Sequence, residues 1–209
     1  MADREDRMEV EEDLLRRCAR QDAAAYRELV ERLEKPLVNF LYRFVGERHA
    51  AEDLFQETFV RVVRSVGQFR PEATLGTWIF TIARNLALDY LKARRRRREM
   101  PLEAGGTAER GRVISFRDAL PSSSPGPALR VEAAEEERRL MEALKELSPA
   151  KHEALVLRVF AGLSYAEIAR IVKAPVGTIK FRVHEAVQEL GRKLAAQDRR
   201  RAAGQGGQP

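Results

Sequence analysis

The residues with the clearest chemistry in this sequence are basic and polar side chains spaced for contact with nucleic acid. Lys92 and Arg94–Arg98 place six cations within seven residues at the end of a predicted helix. The helix dipole favours some positive charge there, but five consecutive arginines repel one another and exceed what a helix end needs. Contact with phosphates is therefore favoured over the alternative, a solvated helix end.

Further polar residues lie upstream on the same predicted helix. Trp78, Asn85 and Asp89 follow the spacing i, i+7, i+11, which places them on roughly one face. Asn and Asp are mediocre helix formers, and both can hydrogen-bond to base edges. Core packing is the alternative interpretation for Trp78.

A second candidate site is a predicted helix-turn-helix near the C-terminus. Ser164 and Glu167 form a capping box, and Pro175 precedes a longer helix. The apolar stripe of that helix comprises Ile179, Val183, Ala186, Val187, Leu190 and Leu194, and the opposite face comprises Thr178, Phe181, His184, Glu185 and Gln188. Insertion into the DNA major groove explains an exposed Phe on that face. A helical hairpin in a bundle is the alternative.

The remaining residue types provide no catalytic or metal-binding set. The three histidines are scattered, and the single cysteine, Cys18, excludes an internal disulfide. We therefore predict a protein that is not an enzyme and has no metal site and no cofactor. The net charge of +6 favours a nucleic-acid partner. The absence of a signal-peptide core and of an apolar run of about 18 residues predicts a cytoplasmic protein without membrane insertion.

Helical periodicity dominates the elements that position these residues, so the predicted fold class is all-α, with two helical domains joined by a flexible linker. Asp22 is predicted to cap one helix, Pro36 to begin the next, and Thr77 to cap the helix with the basic run. The predicted organisation is a disordered segment 1–12, a helical domain 13–98, a linker 99–127, a helix-turn-helix domain 128–197 and a disordered tail 198–209.

Three strings in this order resemble the extracytoplasmic-function (ECF) sigma factors of bacterial RNA polymerase: Ala51–Val62, Thr77–Leu91, and Leu163–Ala169 with Pro175–Lys180. The resemblance implies that 13–98 is sigma region 2 and 128–197 is sigma region 4. It implies docking on core RNA polymerase by Asp53, Gln56, Glu57 and Arg61, although the pattern alone would make the first three an ordinary solvated face. It also implies binding of promoter DNA and of an anti-sigma factor.

The resemblance further assigns DNA contacts to each region. In region 2, the loop 69–76 would accept a base flipped from the minus-ten element. The minus-ten contacts would be Phe69, Arg70, Thr77, Trp78, Arg84, Asn85, Asp89, Lys92, Arg95 and Arg96. The minus-thirty-five contacts in region 4 would be Pro175, Gly177, Thr178, Lys180, Phe181, Arg182, His184 and Glu185.

Two departures limit what can be carried over from the family. Its members often have Ser where Phe181 stands and Arg where Glu185 stands, so their usual minus-thirty-five sequence is not expected here. Arg reads guanine, whereas Glu can only accept a hydrogen bond, for example from cytosine. Lys173 also replaces a frequent turn Gly.

The alternative function is a stand-alone helix-turn-helix regulator that acts without being a polymerase subunit.

Overall fold

All regular structure in the described part of the chain is helical. The computed structural model describes residues 13–69, 74–99 and 127–205, and within these ranges it contains helices and one 3-10 turn but no strand. The chain divides into two compact units, Met1–Pro121 and Ser122–Pro209. The predicted all-α fold with two helical domains is therefore confirmed. The predicted disorder of 1–12 and most of the predicted linker lie outside the described residues.

The first unit is a small helical bundle. Its helices are α1 (13–19), α2 (Ala23–Val45), α3 (Arg48–Ser65) and α4 (Leu75–Glu99), with a 3-10 turn at Val66–Gln68 after α3. Helices α2, α3 and α4 pack against one another. The rings of Phe40 and Phe80 meet edge-on at 5.5 Å between centroids. The fully buried side chains around them include Leu29, Leu37, Leu41 and Ile79.

Helix α2 differs from its predicted division into two helices. Asp22 caps it as predicted, because its Oδ1 accepts a hydrogen bond from Ala24 N at 2.8 Å. The helix then continues through Pro36 to Val45. An internal proline costs about 3 kcal/mol. The helix tolerates it because Leu29, Leu37 and the residues after them form one buried stripe, and burial of that stripe offsets the cost.

The start of α4 also differs from the prediction. Thr77 does not cap this helix, which begins at Leu75. Thr74 Oγ1 instead accepts a hydrogen bond from Thr77 N at 3.2 Å, and the two hydroxyl oxygens lie 2.8 Å apart. Both threonines suit a cap by residue type, and the earlier one fulfils that role.

The second unit is built around one long helix. Its helices are α5 (Pro127–Lys145), α6 (Pro149–Val159), α7 (Tyr165–Val172) and α8 (Val176–Gln205), and α8 packs against the other three. The predicted capping box is confirmed: Ser164 N donates to Glu167 Oε2 at 2.8 Å, and Glu167 N donates to Ser164 Oγ at 3.3 Å. The core contains Leu144, Leu155, Leu157, Ile168, Ile171 and Ile179.

The C-terminal end of α8 contradicts the predicted disordered tail. The prediction begins disorder at residue 198, whereas α8 remains helical to Gln205, and only 206–209 lie outside the described residues. Helix α5 packs along α8, and Arg139 forms an ion pair with Asp198 across the two helices. The local composition, rich in Arg, Gly and Gln, does not show that α5 packs against this end of α8 and stabilises it.

The turn of the helix-turn-helix adopts a conformation that favours glycine. Helix α7 ends at Val172, and the next residue, Lys173, caps it with a φ of 56° and a ψ of 51°, which lie in the left-handed region. A residue with a Cβ costs about 1 to 2 kcal/mol there. Lys173, which stands where the resembled family frequently has Gly, therefore strains the backbone at this turn.

Candidate nucleic-acid interface

Helix α4 presents a polar surface opposite its buried side. Ile79, Ala83 and Leu86 point into the core, whereas Asn85 and Asp89 are exposed. Lys92 Nζ lies 3.8 Å from Asp89 Oδ1, and both side chains are 71% exposed. An ion pair so open to water is weak, so it does not prevent Asp89 from binding a partner. The half-buried Arg84 lies beside this surface.

An aromatic pair lies at the beginning of α4. The rings of Phe69 and Trp78 meet edge-on, with centroids 5.2 Å apart, and both side chains are half-buried. Partly exposed aromatic rings offer a surface on which an unpaired base can stack. The predicted base-accepting loop continues through 70–73, so Arg70 lies outside the described residues.

Thr77 is a correction among the predicted minus-ten contacts. Its side chain is only 3% exposed, and its hydroxyl faces Thr74. Thr77 therefore stabilises the first turn of α4 rather than presenting a group to DNA.

The arginine run divides into one anchored residue and an exposed segment. Arg94 forms an ion pair with Glu47 at 3.1 Å and donates to the Val45 carbonyl at 3.4 Å. Tyr90 also donates to Glu47, at 2.5 Å, and burial followed by this hydrogen bond raises the pKa of Tyr90. Arg95–Arg97, by contrast, are exposed. The sequence alone does not distinguish Arg94 from Arg95–Arg97, because all four lie in one basic run. The contacts of Arg94 in the folded protein do distinguish them.

The outer face of α3 combines polar and apolar residues. Asp53 and Glu57 are exposed, Gln56 is half-buried, and Arg61 Nε lies 2.8 Å from Glu57 Oε1. The same helix also exposes two valines, Val60 at 40% and Val63 at 47%. Their exposure makes this face suitable for burial against a partner.

Helix α8 exposes the predicted reading face of the helix-turn-helix. Phe181 is 64% exposed, and His184 and Lys180 are exposed beside it. Glu185 is half-buried and lies 3.7 Å from Lys151 Nζ. At the start of the helix, Pro175 and Gly177 are exposed, while Thr178 and Arg182 are half-buried.

One residue of the predicted apolar stripe is not in the core. Ile179, Val183 and Ala186 are buried, but Val187 is 49% exposed. It lies at the edge of the stripe, about 80° around the helix from Ile179. The stripe that packs against the other helices is narrower than the sequence indicated.

The described residues show neither a metal site nor a membrane span. No three His, Cys, Asp or Glu side chains are grouped as metal ligands in the described part of the chain. No helix there is both long enough and apolar enough to cross a membrane.

Comparison with known proteins identifies both units. Residues 29–97 match the model of Sigma-70 region 2, and residues 137–190 match that of Sigma-70, region 4. The chain is 33% identical to the RNA polymerase sigma-H factor of Pseudomonas aeruginosa, over 89% of this chain and 94% of the relative. It is 32% identical to the ECF RNA polymerase sigma-E factor of Haemophilus influenzae, over 87% of this chain and 93% of the relative.

Solved structures agree with this relationship. The sigma factor RpoE of Bartonella quintana, solved with the anti-sigma factor NepR, is 27% identical, with a TM-score of 0.59, over 81% of this chain and 96% of that chain. CnrH, solved with the cytosolic domain of CnrY, shares the fold: the TM-score is 0.65 at 22% identity, over 89% of this chain and 97% of that chain.

These matches also bear on the alternative function. They span both units and nearly the full length of the two relatives, so a stand-alone helix-turn-helix regulator is not favoured. Sigma factors are generally initiation factors without enzymatic activity. With the region 2 and region 4 matches in chain order, the chain belongs to the ECF sigma factors of RNA polymerase.

Proposed function

We propose that this sigma factor binds core RNA polymerase in the cytoplasm, reads the minus-ten and minus-thirty-five promoter elements with separate domains, and promotes DNA melting without itself catalysing a reaction. We assign region 2 to 13–98 and region 4 to 128–197. The observation that carries the proposal is the surface of α4. It presents Asn85 and Asp89 between the Phe69–Trp78 pair and the exposed arginines.

The order of groups along α4 suits a DNA strand that is leaving its duplex. Base extrusion costs a few kcal/mol of stacking, and contact with aromatic rings can offset this cost. Asn85 and Asp89 provide hydrogen-bonding groups for base edges. Arg95–Arg97, further along the helix, provide charge for the phosphates without reading sequence.

The outer face of α3 is the proposed polymerase-docking surface. Charged groups from Asp53 and Glu57 give orientation, while Val60 and Val63 provide apolar area that docking would remove from water. This combination of a polar rim and apolar residues is typical of a specific protein interface.

Helix α8 is the proposed reader of the minus-thirty-five element. Phe181 has the chemistry to contact a thymine methyl group, and the Glu185 carboxylate can accept a hydrogen bond from a cytosine amino group. The preferred sequence should therefore differ from that of relatives with Ser and Arg at these positions.

An anti-sigma protein is the proposed regulator. The sigma factor of Bartonella quintana is bound by such a protein in its solved structure. The partner of this chain would have to cover surfaces used for polymerase or DNA, since exclusion from the polymerase is the simplest way to silence an initiation factor. Co-purification from the native host that yields the free chain alone would contradict this proposal.

Run-off transcription tests the central proposal. Core polymerase is assayed on a promoter library with and without this chain, and transcripts should depend on its addition. An Asn85→Ala and Asp89→Ala double variant should reduce open-complex formation, whereas Glu31→Ala, which removes an exposed carboxylate from α2, should not. Transcription that does not require the chain on any promoter would refute the proposal.

A further inference from the structure

Lys151 connects the reading helix to the helix before the helix-turn-helix. It lies in the first turn of α6, and its Nζ is 3.0 Å from Glu189 Oε2 and 3.7 Å from Glu185 Oε2. Its side chain is only 27% exposed, so the ammonium group is held against α8. One cation thus serves two carboxylates that are one helical turn apart.

The two carboxylates do not depend equally on Lys151. Glu189 also has Lys193, whose Nζ lies 3.9 Å from Glu189 Oε1, and Lys193 is itself bound by Glu146 at 2.6 Å. The hydrogen bond from Lys151 is the largest cause that lowers the pKa of Glu189. Among the ion pairs of the described residues, Glu185 is joined only to Lys151.

The position of Glu185 makes its charge important for DNA binding. It is one turn from Phe181, about 40° around the helix, and so lies at the edge of the exposed face. A carboxylate brought between the phosphates of a DNA groove is repelled by them. A lysine whose ammonium lies 3.7 Å from the carboxylate reduces that repulsion and attracts the carboxylate toward α6.

We propose that Lys151 is a specificity-determining positioning residue, which neutralises and orients Glu185 so that its carboxylate can accept a hydrogen bond from a base in the minus-thirty-five element. This inference rests on the proposed function, because it requires α8 to read DNA. Lys151 itself acts through Glu185.

The proposal predicts a dependence between two positions. Lys151→Met leaves Glu185 and Glu189 without the shared cation, so binding should weaken about ten-fold, the scale of one lost base contact. In a Glu185→Gln background there is no charge to neutralise, so the same Lys151→Met change should alter binding less than two-fold. Lys151→Arg retains the cation and should bind like the original chain.

The experiment uses the full chain assembled with core RNA polymerase. Holoenzymes of each variant select from a promoter library randomised over the minus-thirty-five region, and the affinity of each background is then measured on the sequence that it selects. Circular dichroism of each variant verifies that the helices form. Glu189→Gln is the matched control, because it removes the other carboxylate of the same lysine.

The proposal is supported if Lys151→Met changes the preferred base at one position and if Glu185→Gln, but not Glu189→Gln, abolishes the effect of losing the lysine. It is overturned if Lys151→Met leaves preference and affinity unchanged, if Glu189→Gln alone abolishes the effect, or if Lys151→Met prevents folding while Lys151→Arg folds without restoring the preference. Failure of the proposed function is distinguishable, because the unmodified holoenzyme would then select no sequence at all.

Discussion

Truncation of Phe181 separates DNA binding from folding. Its side chain is 64% exposed in the free protein, so Phe181→Ala should have little effect on the free energy of unfolding. Complete burial of a Phe side chain contributes about 1.5 to 3 kcal/mol. If DNA covers the exposed two thirds, the loss should be about 1 to 2 kcal/mol, or roughly 5- to 30-fold in affinity.

The assay combines promoter binding by the holoenzyme with urea unfolding of the chain. Val187→Ala is a suitable control, because Val187 is also an exposed apolar residue of α8, at 49%, but lies about 120° around the helix from Phe181. The control should retain affinity. Equal losses from both variants, or a clear fall in stability caused by Phe181→Ala, would show that Phe181 does not lie against DNA as inferred.

Four further predictions concern charge and backbone. Replacing Arg95–Arg97 by Ala should weaken binding to all promoters and reduce the salt slope of log affinity by about 2 to 3, measured by salt titration. Arg94→Ala is the control. It should instead lower the free energy of unfolding, because Arg94 pairs with Glu47 within the fold. Glu185→Arg should change the minus-thirty-five sequence recovered by selection, and recovery of the same consensus would contradict this. Lys173→Gly should raise the free energy of unfolding in urea by about 0.5 to 1 kcal/mol by removing left-handed strain, and a decrease would contradict the cause assigned. Backbone hydrogen bonds from Ala24 and Ala25 lower the pKa of Asp22. The ionised Asp22 carboxylate therefore stabilises the folded protein at neutral pH, and this contribution is lost as the pH falls below about 4. Asp22→Asn should show a smaller loss of stability between pH 7 and 3 in urea unfolding.

Local sequence rules located the elements whose determinants lie within a few residues. The Ser164–Glu167 capping box and the Asp22 cap could be predicted because every group involved lies within one helical turn. The prediction that Pro36 begins a new helix failed because the buried stripe of α2 depends on packing against α3 and α4. The local sequence does not show that packing.

The surfaces were less predictable than the helices. Helical spacing marks Asn85 and Phe181 as surface residues, and both are exposed, but the same spacing placed Val187 in the core. The width of a buried stripe depends on how closely neighbouring helices approach, and a sequence does not give that distance. The roles of the reading residues came from the family resemblance and stay predictions.

The corner around Glu47 has a mechanical consequence. Glu47 immediately precedes α3, accepts a hydrogen bond from Tyr90 and forms an ion pair with Arg94, and both partners lie in the C-terminal half of α4. If α3 binds the polymerase and α4 binds the opening strand, the contacts of Glu47 fix the two helices relative to each other. A force exerted on the DNA is then transmitted to the polymerase through the domain without bending it. An insertion after Gly46 should therefore yield holoenzymes that assemble and bind closed promoters but stall before strand separation.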